Sequence, residues 1–142
     1  MIAVVDTSVA VKWFVALHPQ EDDTAQALKI LEQSVLGFLT FVQPPHFVGE
    51  VAAVLMRLKP ADAADDLHDL LNIRYQSIAT PEMYATALKL ALRYQHHIFE
   101  TLYHAVALHT PGATLITANA DYYNKAAKEG QITLLADLDH GG

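Results

Sequence analysis

The sequence predicts an α/β layered fold, a mostly parallel sheet flanked by helices. Three observations predict it. The runs Ile2 to Val5 and Ala113 to Ala118 are short, apolar and rich in β-branched residues, the pattern of strands buried on both faces. Helical stretches alternate with further strand candidates along the rest of the chain, the order of a parallel sheet. The 142 residues are 52% apolar and 18% charged, which suits one folded domain over 1–142 with a real core and excludes a disordered chain.

The first strand ends at Asp6. Thr7 and Ser8 follow, and then Val9 to Phe14 with helical apolar spacing. A carboxylate at the carboxyl end of a buried strand sits where open α/β sheets place ligands. Asp6 or Thr7 acting only as a helix cap is the alternative. Residues 21–34 read as an amphipathic helix with Ala27, Leu28, Ile30 and Leu31 on its apolar side, and its three opening acids suit the helix dipole. Phe38 to Val42 is a candidate strand ended by Gln43-Pro44-Pro45, and proline at a helix start predicts the next helix over 45–58. In it Phe47, Val51, Val54, Leu55 and Leu58 share a face. Glu50 lies on the shoulder of that face and needs a partner there. That partner is either Arg57 or another surface cation, or a cleft shared with Asp6.

Pro60 opens a helix through Ile73, with Ala64, Leu67, Leu70 and Leu71 as its stripe and its four Asp residues as a solvated face. Tyr75 to Ala79 is a candidate strand. Thr80-Pro81-Glu82 predicts a capped helix start, and that helix runs to Arg93 or Tyr94. Residues 98–109 are apolar almost all round, as in a mostly buried helix. Glu100, Thr101 and His104 form its narrow polar strip, where Glu100 and His104, four apart, can touch or pair facing solvent. After the turn at Pro111-Gly112, the second strong strand ends in Asn119, with Asp121 two residues on. Residues 121–128 read as a helix ended by Gly130, Ile132 to Leu135 as a last strand, and the tail 137–142 as loose.

The net charge of −7 argues against a general nucleic-acid coat protein, which needs a basic footprint. It leaves room for an enzyme with an acidic metal cleft and for a basic partner segment. The absence of cysteine excludes disulfides and thiolate metal sites. No apolar run is long enough to span a bilayer, and the N-terminus lacks a secretory pattern, so the expectation is a cytoplasmic protein without a membrane role.

The carboxyl ends of the two strong strands belong on one sheet edge, which lets Asp6 meet Asn119 or Asp121. Glu50 and Glu100 each fall near the first turn of a helix. Carboxylates packed together repel, and a bound cation is the physical remedy. Oxygen donors without Cys point to Mg²⁺ or Mn²⁺, which can activate water and neutralise a phosphodiester during in-line attack. The histidines form no convincing metal set, since His96 and His97 are adjacent and point apart. Lys12 is read as an ordinary surface lysine, with phosphate contact as the alternative.

Three stretches carry a resemblance: VVDTSVAVKWF at the start, PPHFVGEVAAVLMR in the middle, and IFETLYHAVAL followed by ATLITANADYY near the end. With them the chain resembles the PIN-domain family over nearly its whole length, most closely the VapC-type toxins of prokaryotic toxin–antitoxin pairs. The resemblance implies a parallel five-stranded sheet, a homodimer, Mg²⁺- or Mn²⁺-dependent cleavage of an RNA substrate, and a small antitoxin protein that blocks the site. Carried over by position, Asp6 is the first acid and Glu50 the second. Glu100 stands where the family has Asp in Tyr-Asp-x-x-Tyr. Phe99 replaces the first tyrosine of that pattern and Tyr103 keeps the last. Many relatives read Thr-x-Asp after the fourth strand, whereas this chain reads Thr117-Ala118-Asn119, so the fourth acidic role falls to Asn119 or to Asp121. Asp6, Glu50, Glu100 and Asp121 are thus the candidate catalytic acids, and Asp6, Glu100, Asp121 and Asn119 the candidate metal ligands. Ser8, Thr117 and His104 are the candidate orienting groups, His104 as a partner of Glu100.

The departures at Glu100 and Asn119 also fit a second reading, a catalytically weak PIN domain that only binds a partner or RNA. Other acid-site α/β proteins fit less well. A phospho-acceptor receiver would carry paired acids before its first helix, a haloacid-dehalogenase-type phosphatase Asp-x-Asp, and an adhesion-type metal site Asp-x-Ser-x-Ser.

Overall fold

A computed structural model describes residues 1–15 and 22–138. Glu21, expected to help open the second helix, and the tail beyond Leu138 lie outside the described residues. The elements run β1 (Ile2–Val5), α1 (Thr7–Ala10, continued by a 3-10 turn over Val11–Trp13), α2 (Thr24–Val35), β2 (Thr40–Gln43), α3 (Phe47–Leu58), α4 (Ala63–Leu71) and β3 (Tyr75–Ser77). Then follow α5 (Pro81–Tyr94), α6 (Ile98–Leu108), β4 (Ala113–Thr117), α7 (Ala120–Ala126) and β5 (Ile132–Leu134).

The five strands form one parallel sheet in the order β3-β2-β1-β4-β5. β1 and β4 are its centre. Their residues Ala3, Val4, Val5, Leu115 and Ile116 are almost wholly buried, as a strand covered on both faces requires. The chain grows outward on one side of β1 through β2 and β3, then returns to its other side with β4. The crevice at the carboxyl ends of β1 and β4 is therefore the topological switch point, the preferred place for a ligand in an open parallel sheet.

Helix α6 is the core helix. Thr101 to Ala107 are all buried, and the helix packs on α5, β4, β1 and β2. The buried Thr101 hydroxyl donates to Ala87 O of α5 at 2.7 Å, so that polar group is satisfied inside the core. Trp13 anchors the first turn. Its indole N–H donates to Ala27 O at 2.9 Å, and its ring lies 5.6 Å from that of Phe41. Thr80 caps α5 by accepting from Met83 N at 3.2 Å, with Pro81 in the first helical position, as the sequence predicts.

Several boundaries and faces differ from the sequence expectation, each for a physical reason. β2 is carried by Thr40–Gln43 and not by Phe38 to Val42, because Thr40 N pairs with Met1 O and Phe41 sits opposite Ala3. Phe38 is left 68% exposed. The third helix starts at Phe47 because Pro44, Pro45 and His46 make a turn, closed by Phe47 N to Pro44 O. A residue before proline is poorly suited to a helix. In α4 the buried positions are Asp66 and Leu70, and Leu71 is exposed. Asp66 is thus no part of a solvated face. It pairs with Lys59 Nζ at 2.9 Å, the partner a buried carboxylate needs.

The side chain of Gln43 extends the sheet beyond its backbone pairs. Fully buried, it accepts from Val5 N at 2.9 Å and donates to Val5 O at 2.7 Å. One amide thereby satisfies both main-chain groups of the residue before Asp6.

Candidate active site

Asp6, Thr7, Ser8, Glu50, Glu100, Tyr103, Asn119 and Tyr122 line one cavity of about 160 Å³ at the switch point. β1 and the start of α1 supply the first three. Glu50 comes from the first turn of α3, Glu100 and Tyr103 from α6, and Asn119 and Tyr122 from the junction of β4 and α7.

Asp6 ends β1 and occupies the N-cap position of α1, where Val9 N and Ala10 N donate to its backbone carbonyl, but its side chain caps nothing. That carboxylate instead accepts from Ser8 Oγ on one oxygen and from Thr117 Oγ1 on the other. Each hydroxyl is itself fixed by a backbone donor: Ala118 N reaches Ser8 Oγ at 2.9 Å, and Asn119 N reaches Thr117 Oγ1 at 3.1 Å. Both hydroxyl hydrogens are therefore aimed at Asp6. Burial, with a smaller contribution from the charge of Glu100, pushes the Asp6 carboxyl up from 3.8 to about 6 against these hydrogen bonds.

Glu50 meets neither Arg57 nor another surface cation. Its Oε1 accepts from Thr7 Oγ1 and from Tyr103 OH, each at 2.8 Å, and His46 Nε2 stands 3.6 Å away. Burial holds the Tyr103 hydroxyl well above its ordinary range, so it remains a donor to Glu50. Glu100 lines the cavity and reaches outward to His96 Nδ1 at 2.8 Å. His96 Nε2 in turn lies 3.5 Å from Asp121 Oδ2, which also faces Lys125 Nζ at 3.4 Å.

Asn119 and Asp121 are thereby separated. Asn119 lines the cavity and caps α7, its Oδ1 accepting from Tyr122 N at 3.1 Å. Asp121 is exposed on the outer rim and linked to Glu100 only through His96. His104, expected beside Glu100, turns the other way. Buried, it contacts Tyr122 OH at 2.7 Å and Gly130 O at 2.8 Å, and burial lowers its pKa. The reason is that Glu100 lies in the exposed first turn of α6 and His104 one turn on, in its buried stretch. Lys12 is likewise no surface lysine: it is buried, and Nζ donates to Asp22 O at 2.7 Å.

Sequence reasoning passed over Thr7, Tyr122 and His96 as parts of this site, and Tyr103 as the donor to Glu50. The spacing of Tyr103 three residues after Glu100, on the same helix face, was the available signal.

The donor set suits a hard cation. Three carboxylates and an amide oxygen surround one cavity without a thiolate, and the raised Asp6 pKa is a charge strain that a cation would relieve. Among the described residues no three acid or histidine side chains are grouped closely enough to hold a metal as they stand, with Glu50 tied to Thr7 and Tyr103 and Glu100 tied to His96. Among the same residues no helix is long and apolar enough to cross a membrane.

A family model described as PIN domain matches residues 3–128. No curated protein matches the chain. Among solved structures the chain is similar to VapC20 of Mycobacterium tuberculosis, a sarcin–ricin-loop-cleaving toxin. That match has 16% identity and a TM-score of 0.62, covering 86% of this chain and 93% of that one. It is similar to VapBC2 from Rickettsia felis, solved bound to a DNA fragment from its promoter, with 17% identity and a TM-score of 0.59 over 94% and 97% of the two chains. VapBC-1 from nontypeable Haemophilus influenzae matches at 15% identity and a TM-score of 0.62, over 96% and 100%. At these identities the likeness is one of fold.

Proposed function

Since the chain belongs to the PIN-domain family, we propose that residues 1–142 act as one PIN-like domain, a metal-dependent endoribonuclease that serves as the toxin of a toxin–antitoxin pair. The observation that carries this reading is the convergence of Asp6, Glu50, Glu100 and Asn119 on one cavity at the sheet's switch point. Asp6, Glu100 and the Asn119 Oδ1 are the groups that would hold Mg²⁺ or Mn²⁺. When bound, the ion would supply charge neutralisation at the scissile phosphodiester and a more acidic water. Ser8 and Thr117 hold the Asp6 carboxylate in one orientation. Glu50, fixed by the Thr7 and Tyr103 hydroxyls, is placed to accept a proton inside the cavity.

The purified protein, freed of any partner, should cut RNA with Mg²⁺ or Mn²⁺ and stop with EDTA. Failure to cut any RNA in either metal would favour the second reading, a binding module, to which the neutral Asn119 and the His96-held Glu100 lend support. Two substitutions refine the metal set. Asn119→Asp keeps a good N-cap and adds a charge at the cavity, so calorimetry should show Mn²⁺ bound roughly tenfold more tightly. Asp121→Asn, on the rim, should change that affinity less than about threefold. The reverse ranking would move the ligand role to Asp121.

An acidic cleft suits an antitoxin segment bearing Arg or Lys, and two of the structures similar in fold were solved as VapBC. The exposed stripe Tyr84, Leu88 and Leu92 on α5 is the surface we assign to a second copy of the chain. Light scattering at micromolar concentration should give twice the monomer mass, and Leu92→Glu should return it to the monomer. A wild-type mass equal to one chain would end the dimer reading.

A further inference from the structure

Phe99 is 49% exposed although it adjoins the cavity residue Glu100. Its ring is stacked on His46, with centroids 5.0 Å apart and planes at 28°. The His97 ring lies 4.8 Å away at 49°. His46 in turn is 4.7 Å from the ring of Tyr103, whose hydroxyl reaches Glu50. A file of aromatic rings thus runs from solvent down to the cavity wall. His46 also holds the backbone beneath the file, since Nε2 bonds Phe99 O at 2.8 Å. Its Nδ1 is buried without a hydrogen-bond partner among the described residues, so one edge of the imidazole holds Phe99 while its face stacks on the Phe99 ring. Core packing does not account for an aromatic that is held this firmly and still half open to water.

We propose that Phe99, backed by His46, is a stacking platform for one unpaired base of the RNA strand that enters the acidic cavity. The proposal rests on the ribonuclease reading and deepens it. With a net charge of −7 and a cavity walled by carboxylates, the chain gains little from phosphate contacts. Affinity for single-stranded RNA must then come from contacts that do not depend on charge. Base stacking on an aromatic ring is such a contact, and it tolerates any base. The platform selects an unpaired nucleotide because a base within a duplex has both faces stacked on its neighbours.

The test uses a short unstructured RNA that the wild type cuts, with 2-aminopurine placed at successive positions. One position near the cut should be quenched on binding to wild type, and Phe99→Leu, which keeps the bulk but not the π face, should lose that quench. Phe99→Leu should also raise KM roughly 5- to 150-fold with kcat nearly unchanged, and Phe99→Trp should restore it. An abasic nucleotide at the quenched position should weaken wild-type binding by a similar factor and leave Phe99→Leu unaffected. Near-ultraviolet circular dichroism and the melting curve verify that the variants are folded. If the wild type cuts RNA and Phe99→Leu matches it in quench, KM and abasic response, the platform is wrong while the ribonuclease reading stands. That result is also the one a protein-facing Phe99 would give. If the wild type neither cuts nor binds any RNA, both readings fall.

Discussion

Asp6→Asn is expected to abolish RNA cleavage, by roughly a hundredfold or more, while leaving the protein at least as stable as wild type at pH 8. The two halves of this result have one cause. Asp6 is a carboxylate held in a buried setting that raises its pKa from 3.8 to about 6. Keeping it charged therefore costs up to about 3 kcal/mol, a net figure that already includes the help of the Ser8 and Thr117 hydroxyls. Asn removes that cost and with it the negative charge a cation would need, and loses about 1 kcal/mol by meeting a donor hydroxyl with its own amide. The pH dependence has a definite sign. Between 3.8 and about 6 the native state holds a proton on Asp6 that the unfolded chain has released, so this residue's contribution to stability falls as pH rises through that window and is flat above it. Urea titrations at pH 4 and pH 7 should therefore show wild type losing stability relative to Asp6→Asn as pH rises. An identical pH slope in the two proteins, or undiminished cleavage in the variant, would remove Asp6 from the centre of the site.

Gln43→Leu should be the most destabilising single change outside the site, at about 3–5 kcal/mol, or roughly 10 °C or more in melting temperature. The side chain is buried and bonds both the N–H and the C=O of Val5. Leucine fills nearly the same volume but leaves two buried main-chain groups without partners. The damage reaches the chemistry, because Val5 precedes Asp6 and the end of β1 loses what fixes it against β2. Cleavage should fall together with stability even at temperatures where the variant is folded. A loss under about 1 kcal/mol would mean that water replaces the amide at Val5.

The frame of the site was readable because strong signals mark it. The apolar runs ending at Asp6 and at Thr117 are unmistakable strands, and parallel strands place their carboxyl ends together. Glu50 stood out because a carboxylate on the shoulder of an apolar helix face has to be explained. What escaped depends on contacts the sequence does not order. Gln43 before two prolines reads as the end of a strand, and its pairing with Val5 follows only from the β1–β2 register. His96 reads as one of two diverging histidines. The left-handed residue Gln95 (φ 56°) ends α5 and turns the chain, and His96 then lies between Glu100 and Asp121. The spacing of His104 pairs it with Glu100, where burial directs it to Tyr122 and Gly130. Asp66 reads as one more surface acid because its cation, Lys59, lies in the segment before α4.

The hydroxyl of Thr117 closes on a carboxylate 111 residues earlier, and β4 fills the place beside β1 at the centre of the sheet. A ribosome adding about 5–20 residues per second needs roughly 6–22 s to travel from one to the other. Throughout that interval the emerging chain has Asp6 but neither the strand beside it nor the hydroxyl that steadies it. A centre divided in this way is assembled only after β4 has been made. On the proposed ribonuclease reading, the nascent polypeptide is unable to cut the message that encodes it until that strand has emerged and paired.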